Sequence, residues 1–294
     1  MNIVQVYQRF PFQESCLEYL ERVRWKGKPM CPYCKSENSS PLINENRHHC
    51  NNCNTSYSVT VGTIFHKTHL DSQKWFLALS LILNAKKGIS ARQLSRDLDV
   101  NKNTAWYMAM RIRRAMSERW HRELLQGIIE MDETYVGGKP RLGNNRRPTG
   151  KNKRGRGTEK IPVVGMIERN GKVKAGARID KILSAKKLQA LVRSNIDLTA
   201  STIITDDFRG YLGLSKIVKH QVVDHTKCFT CGDVHTNSVE SFWALLKRGI
   251  TGQYHKISRK YLNKYVDEFC YRYNNRNNKD IFDIAIQRAL GVIQ

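Results

Sequence analysis

Asp132 stands in the run Gly127 to Lys139, GIIEMDETYVGGK, among apolar and β-prone neighbours. Ile128, Ile129, Met131, Tyr135 and Val136 predict a strand that stops at Gly137-Gly138. An isolated carboxylate is costly to bury, so Asp132 requires a cation, a hydrogen-bond network or an exposed face. A second acid, Asp206, closes the β-branched run Ser201 to Thr205, and its neighbour Asp207 is read as structural, facing the other way. A third, Glu240, shares one helical face with Trp243 and Lys247, because positions i, i+3 and i+7 fall along one side of two turns. Glu240 has a second reading, since Asn237 and Glu240 also fit a capping box in which the carboxylate bonds only its own helix start.

Thiols form a separate constellation. Cys31-Pro-Tyr-Cys34 and Cys50-Asn-Asn-Cys53 are two Cys-x-x-Cys pairs separated by fifteen residues, a spacing that presents four thiolates to one Zn²⁺. With every ligand position filled by sulfur the ion would be structural, closing a fold too small to hold itself together otherwise. His48 and His49, beside the second pair, are read as surface residues. A third pair, Cys228-Phe-Thr-Cys231, is flanked by His225 and His235. Those flanks are tight for one ion, and two free thiols in a loop are expected there.

These groups sit in a strongly basic chain of 294 residues, with 50 Lys plus Arg against 26 Asp plus Glu and a formal net charge of +24. Such a field favours a polyanion as partner. A hydrophobic content of 40% allows a proper core, and the length suits two domains or one large domain with appendages. No apolar run approaches the ~18 residues of a membrane span, and the opening MNIVQVYQRF lacks the apolar core of a secretion signal. The expectation is a cytoplasmic, nucleoid-associated protein whose cysteines serve as metal ligands or free thiols.

The elements that must position these groups follow in order. Ser15 with Glu18 patterns as a capping box opening an amphipathic helix to Trp25. Asp71 to Lys87 predicts a helix with Trp75, Phe76, Leu79, Ile82 and Leu83 on one stripe, broken at Gly88. Ser90 with Gln93 opens ARQLSRDL, and after a short turn comes a helix, Asn103 to Met116, in a helix-turn-helix layout. Its second helix would present Lys102, Asn103, Thr104 and Tyr107, with Arg111 and Arg114, to base edges and phosphates of DNA. The alternative is a three-helix packing unit whose arginines are a solvated face.

From Gly137 to Lys160 the chain carries nine basic residues against the single acid Glu159: Lys139, Arg141, Arg146, Arg147, Lys151, Lys153, Arg154, Arg156 and Lys160. With its Gly, Pro and Asn content it is expected to be a loop that recruits an anion beside the strand of Asp132. Beyond it, Ile161 to Ile167 and Val173 to Ile179 predict a hairpin turning at Asn170-Gly171. A helix from Ser184 to Asn195, the strand ending at Asp206 and a strand from Ile217 to Val223 complete an α/β pattern with mixed sheet order. Asp132 and Asp206 then fall on adjacent strands. Tyr254 to Ser258 predicts a loop, and Arg259 to Asn274 a helix whose Tyr261, Tyr265, Phe269 and Tyr273 stripe reads as core.

Taken in order, the two thiol pairs, the helix-turn-helix, MDETYVGGK, TDDFRGY and HTNSVESFWALLKRGITGQYHKIS resemble the prokaryotic insertion-sequence transposases of the zinc-ribbon, ISXO-type family in the DDE superfamily, from about Phe10 to Asn275. The resemblance implies a ribonuclease-H-like mixed-sheet catalytic domain preceded by a zinc ribbon and a helix-turn-helix domain. The division is 1–65 for the N-terminal helix and ribbon, 66–122 for the helix-turn-helix, and 123–294 for the catalytic domain with its basic loop 137–160 and C-terminal helix. It also implies two Mg²⁺ or Mn²⁺ ions, with Asp132 bridging both, Asp206 holding one and Glu240 the other. Lys247 takes the family's basic position near the scissile phosphate, and Asn237 or His235 is the alternative third ligand. Two such ions about 4 Å apart activate a water or 3′-hydroxyl and stabilise the leaving oxygen. The implied partner is double-stranded DNA, both element ends and target, bound by at least a dimer in the synaptic complex. Two other readings stand beside this one: a regulator that binds DNA without cutting, and a ribonuclease-H-type nuclease that cuts without joining.

Overall fold

The computed structural model describes residues 1–42, 45–117, 123–137, 159–223 and 233–292. The chain divides into two compact units, Met1–Trp120 with Asn275–Gln294, and His121–Asn274. Residues 275–294 therefore pack with the first unit, whereas the expected division kept them with residues 123–274.

In the first unit, helices α1 (Ile3–Arg9) and α2 (Gln13–Trp25) precede a three-stranded antiparallel sheet of β1 (Ser39–Leu42), β2 (Arg47–Cys50) and β3 (Thr55–Tyr57). The Ser15–Glu18 capping box does not form. Helix α2 begins two residues earlier with Phe12 at its cap, and the Ser15 hydroxyl donates back to the Phe12 carbonyl at 2.6 Å. Packing decides this start. Phe10, just upstream, is buried against Tyr19 and Phe76, with ring centroids 5.1 and 4.8 Å away. Phe282, on a last helix Ile281–Ala289, joins the same aromatic cluster.

Three further helices follow, α3 (Ser72–Asn84), α4 (Ala91–Leu98) and α5 (Lys102–Ala115). Asp71 caps α3 by accepting from the Gln73 N–H at 2.7 Å, and the predicted stripe Trp75, Phe76, Leu79, Ile82 and Leu83 is buried. Ser90 caps α4 and Asn101 caps α5, with Asp99 between them in the left-handed region at φ +48°. On α5, Lys102, Asn103, Trp106, Tyr107 and Arg114 are exposed and Thr104 half-buried. The other two arginines serve packing. Arg113 is 1% exposed, and Arg111 donates to the carbonyls of Ile64 and His66 at 2.6 and 2.7 Å. The expectation that Arg111 projects toward DNA gives way to a tether on the segment before α3.

The second unit is built on β4 (Leu125–Val136), β5 (Ile161–Glu168), β6 (Val173–Ala177), β7 (Ile196–Thr205) and β8 (Lys219–Val222), in the order β6-β5-β4-β7-β8. The β4–β5 and β5–β6 pairs are antiparallel, and β7 and β8 run parallel to β4, so the sheet is mixed as expected. The β5–β6 turn falls at Asn170-Gly171, with Asn170 in the left-handed region and the Gly171 N–H bonded to the Glu168 carbonyl at 2.9 Å. Helix α6 (Ala185–Asn195) shares a core with Ile129, Met131, Val164, Met166, Ile203 and Tyr211. Helices α7 (Asn237–Gly249) and α8 (Leu262–Asn274) share another with Val163, Ile167, Val239, Phe242, Trp243 and Phe269. Alternation along β4 thus sends Ile129, Met131 and Glu133 to the α6 side, and Glu130 and Asp132 to the α7 side.

Candidate functional site

Strand β7 last pairs with β4 at Glu130↔Ile204 and ends at Thr205. Continuing that register places Asp206 level with Asp132. Asp132, Glu133 and Asp206 each offer a carboxylate oxygen, and these oxygens lie within 4.8 Å of one another. Adjacent residues on a strand face opposite sides of the sheet. Asp132 and Glu133 nevertheless converge, because β7 has stopped and side chains from both faces meet past its end. Sequence reading expected Asp132 and Asp206 here and missed Glu133. The acidic pair in MDET was its one available signal.

Burial pushes the Asp132 carboxyl up to about 7, and the charges of Glu133 and Asp206 push in the same direction. Two donors hold the acids from opposite faces. The Trp243 indole Nε1–H donates to Asp132 Oδ2 at 3.0 Å, and the Tyr211 hydroxyl donates to Glu133 Oε2 at 2.8 Å. Burial and the nearby carboxylates keep the Tyr211 phenol far above its ordinary range, so it stays a donor. Three oxygen donors form the kind of set that a hard divalent cation such as Mg²⁺ or Mn²⁺ takes.

Helix α7 owes its place to Glu130. This carboxylate is fully buried and accepts from the N–H groups of Ser238 and Val239 at 2.7 and 3.1 Å, from the Ser238 hydroxyl at 3.0 Å, and from Arg169 Nε at 2.8 Å. His235 belongs to the same anchor, with its Nδ1 3.1 Å and its carbonyl 3.0 Å from an Arg169 nitrogen. Asn237 is the first residue of α7 and not its cap, which is Thr236. The capping box read from Asn237 and Glu240 is therefore absent. Glu240 is exposed and accepts from the Thr236 hydroxyl at 2.9 Å, outside the three-acid cluster. Glu240 and the exposed Lys247 flank Trp243 by one turn each, on the face that Trp243 turns toward Asp132.

In the first unit Cys31, Cys34, Cys50 and Cys53 lie with their sulfurs within 4.8 Å of one another. Sγ of Cys31 is 3.7 Å from that of Cys53, and Sγ of Cys34 is 3.5 Å from that of Cys50. Four sulfurs round a tetrahedral zinc at ~2.3 Å stand roughly 3.8 Å apart, so the cluster fits the ion. His48 is not a surface residue. It is buried, stacks on Tyr57, meets Trp25 edge-on and contacts Glu21 at 3.0 Å, because alternation along β2 turns it inward. His49 turns outward to Ser56 and Asn54. Cys228 and Cys231 with His225, and the basic residues Lys139, Arg141, Arg146, Arg147, Lys151, Lys153, Arg154 and Arg156, lie outside the described residues.

No helix among the described residues is long and apolar enough to cross a membrane. Residues 11–56 match the transposase zinc-ribbon domain. A protein of Halobacterium salinarum described as an uncharacterized protein in transposable element ISH50 is 28% identical over 284 residues, covering 90% of this chain and 91% of that one. Similar solved structures include a Mos1 transposase paired-end complex with left transposon end, at 13% identity, TM-score 0.27 and coverage of 73% of this chain and 78% of that one. Another is a pre-cleavage Mos1 transpososome, at 13% identity, TM-score 0.29 and coverage of 73% and 77%. Scores this low leave the fold to be argued from the sheet itself. Residues 124–274, which contain all three clustered acids and α7, match the ISXO2-like transposase domain, and the chain belongs to that family.

Proposed function

We propose that this transposase binds the ends of an insertion sequence, cleaves there and joins the cut end to target DNA. The observation that carries the reading is the convergence of Asp132, Glu133 and Asp206 at the end of β7. Two divalent ions held there, Mg²⁺ or Mn²⁺, would activate a water or 3′-hydroxyl and stabilise the leaving oxygen. Asp132 and Asp206 would hold the ions, with Glu133 beside them. Glu240 completes the set from α7 by giving up its bond to Thr236. His235 is unsuited to that role, since Arg169 and Glu130 already engage it. Lys247 contacts a phosphate near the scissile bond. The 3-2-1-4-5 order of strands β4 to β8, with the last two parallel to the first, supports a ribonuclease-H-like reading of this unit.

The first unit supplies DNA recognition. Helices α4 and α5, joined by the turn at Asp99 to Asn101, form the helix-turn-helix, and Lys102, Asn103, Thr104, Tyr107 and Arg114 lie on its reading helix. The four-thiol cluster holds one structural Zn²⁺. The basic residues between Lys139 and Arg156 add phosphate contacts by charge. Synapsis of two ends requires at least a dimer, and the site of action is the cytoplasmic nucleoid. The domain division 1–65, 66–122 and 123–274 follows, with 275–294 assigned to the first unit.

Incubation of the full chain with an element-end duplex, a target plasmid and Mg²⁺ or Mn²⁺ tests the reading. Joined products are expected. Nicks without joining would favour the nuclease, and binding without cutting would favour the regulator.

A further inference from the structure

We propose that Trp243 is the positioning residue for Asp132, and that Gly165 is the seat that allows it to act. The proposal rests on the reading of Asp132 as a metal ligand. Asp132 and Gly165 face each other across the β4–β5 pair. The indole of Trp243 lies over Gly165, where a β-carbon would stand 2.6 Å from both Cζ2 and Cη2 of the ring. No side chain at position 165 fits beneath the ring, and this absence brings the indole edge down to the level of its strand partner. There Nε1–H donates to Asp132 Oδ2 at 3.0 Å. The ring is 3% exposed, so water does not compete for the bond.

Both ends of this arrangement refer to one strand. Glu130, two residues before Asp132 on the same face of β4, fixes the first turn of α7. The rotation of α7 is thereby set, and Trp243 falls over Gly165 instead of the next residue along. The indole nitrogen only donates, so it holds a carboxylate without competing for a cation. A ligand whose rotation is fixed beforehand has less freedom to lose when an ion binds, and outer partners of this kind are worth 10- to 100-fold in metal affinity, roughly. A purely structural tryptophan, with Asp132 merely satisfying its N–H, would influence stability and leave metal affinity alone.

Mn²⁺ binding to the zinc-loaded full-length chain, read without DNA from the paramagnetic resonance of free Mn²⁺, separates the two. The forms compared are wild type, Trp243→Phe, Gly165→Ala, Asp132→Asn, and a chain carrying 3-benzothienylalanine at position 243. That residue keeps the shape of indole and puts sulfur in place of the N–H. The isostere and Trp243→Phe are expected to bind Mn²⁺ about tenfold more weakly, the isostere with the melting temperature of the metal-free wild type. Gly165→Ala keeps the N–H and displaces the ring, and the same weakening is expected. Wild-type affinity in the isostere overturns the role of Trp243, and wild-type affinity in Gly165→Ala overturns the seat. Asp132→Asn is expected to lose the site. Should it bind like wild type, the metal reading of Asp132 fails, and the proposal falls with it.

Discussion

The Glu130 carboxylate accepts the Ser238 backbone N–H at 2.7 Å, so a buried acid on β4 caps a helix 108 residues further along the chain. The first N–H groups of a helix have no partner within it, and a negative charge there also meets the positive end of the helix dipole. Arg169 balances the charge from the hairpin turn. Removing the acid leaves Arg169 facing a buried gap and two helix N–H groups uncapped. Glu130→Ala is expected to destabilise the His121–Asn274 unit by about 3 to 5 kcal/mol, measured by urea unfolding. A loss under about 1 kcal/mol, the range of an exposed pair, would contradict the anchoring role.

Asp132 gives the metal-free protein a pH dependence of definite sign. Its carboxyl is raised from 3.8 to about 7, first by burial and then by the charge of Glu133. Between those values the folded state keeps a proton that the unfolded chain has lost. The contribution to stability therefore falls as pH rises through that window and is flat above it. Asp132→Asn removes this slope and raises stability at pH 8, without added Mg²⁺, by on the order of 4 kcal/mol. Urea unfolding at pH 5 and pH 8 reads the difference, and an unchanged slope in the variant would contradict it.

Arginines on one helix are expected to behave differently. Arg111 is bound to the Ile64 and His66 carbonyls, so Arg111→Ala lowers stability by about 1 to 3 kcal/mol. Arg114 and Lys102 are exposed, so their replacement by alanine leaves the melting temperature unchanged. Each of those two is expected to reduce the salt slope of DNA binding by about 1. A thermal scan paired with a salt titration of DNA affinity distinguishes the roles.

Zinc content follows from the thiol geometry. The Cys53 and Asn52 backbone N–H groups lower the Cys50 thiol from its ordinary value, which favours its ionisation when a metal binds. One zinc per full-length chain is expected by elemental analysis, lost in Cys50→Ser together with the protease resistance of the ribbon. A second zinc that survives dialysis would place an ion at Cys228 and Cys231. Protease resistance unaltered by chelation would remove the structural role.

What could be read from residues alone was whatever depends on near neighbours. The strand of Asp132, the Asn170-Gly171 turn and the Ser90 cap follow from local pattern, and the α/β order of elements put the strands leading to Asp132 and Asp206 side by side. Three of the failures share one cause, which is capture by distant partners. Ser15 loses its cap because Phe10 enters the aromatic cluster, His48 turns inward onto Tyr57, and Arg111 is captured by carbonyls more than forty residues away. Glu133 was hidden by strand alternation, which holds along β4 but does not keep the carboxylates apart where β7 ends. Glu130 carried no local signal at all, since every donor it accepts from comes from elsewhere in the chain.

The acids at the end of β7 are proposed to do the chemistry on DNA. Joining of a pre-cleaved element end to a plasmid in Mg²⁺, by wild type and Asp206→Asn at matched DNA occupancy, tests it most directly. Joined product is expected with wild type and none with Asp206→Asn, while both bind the end equally. Joining by Asp206→Asn at the wild-type rate would contradict it.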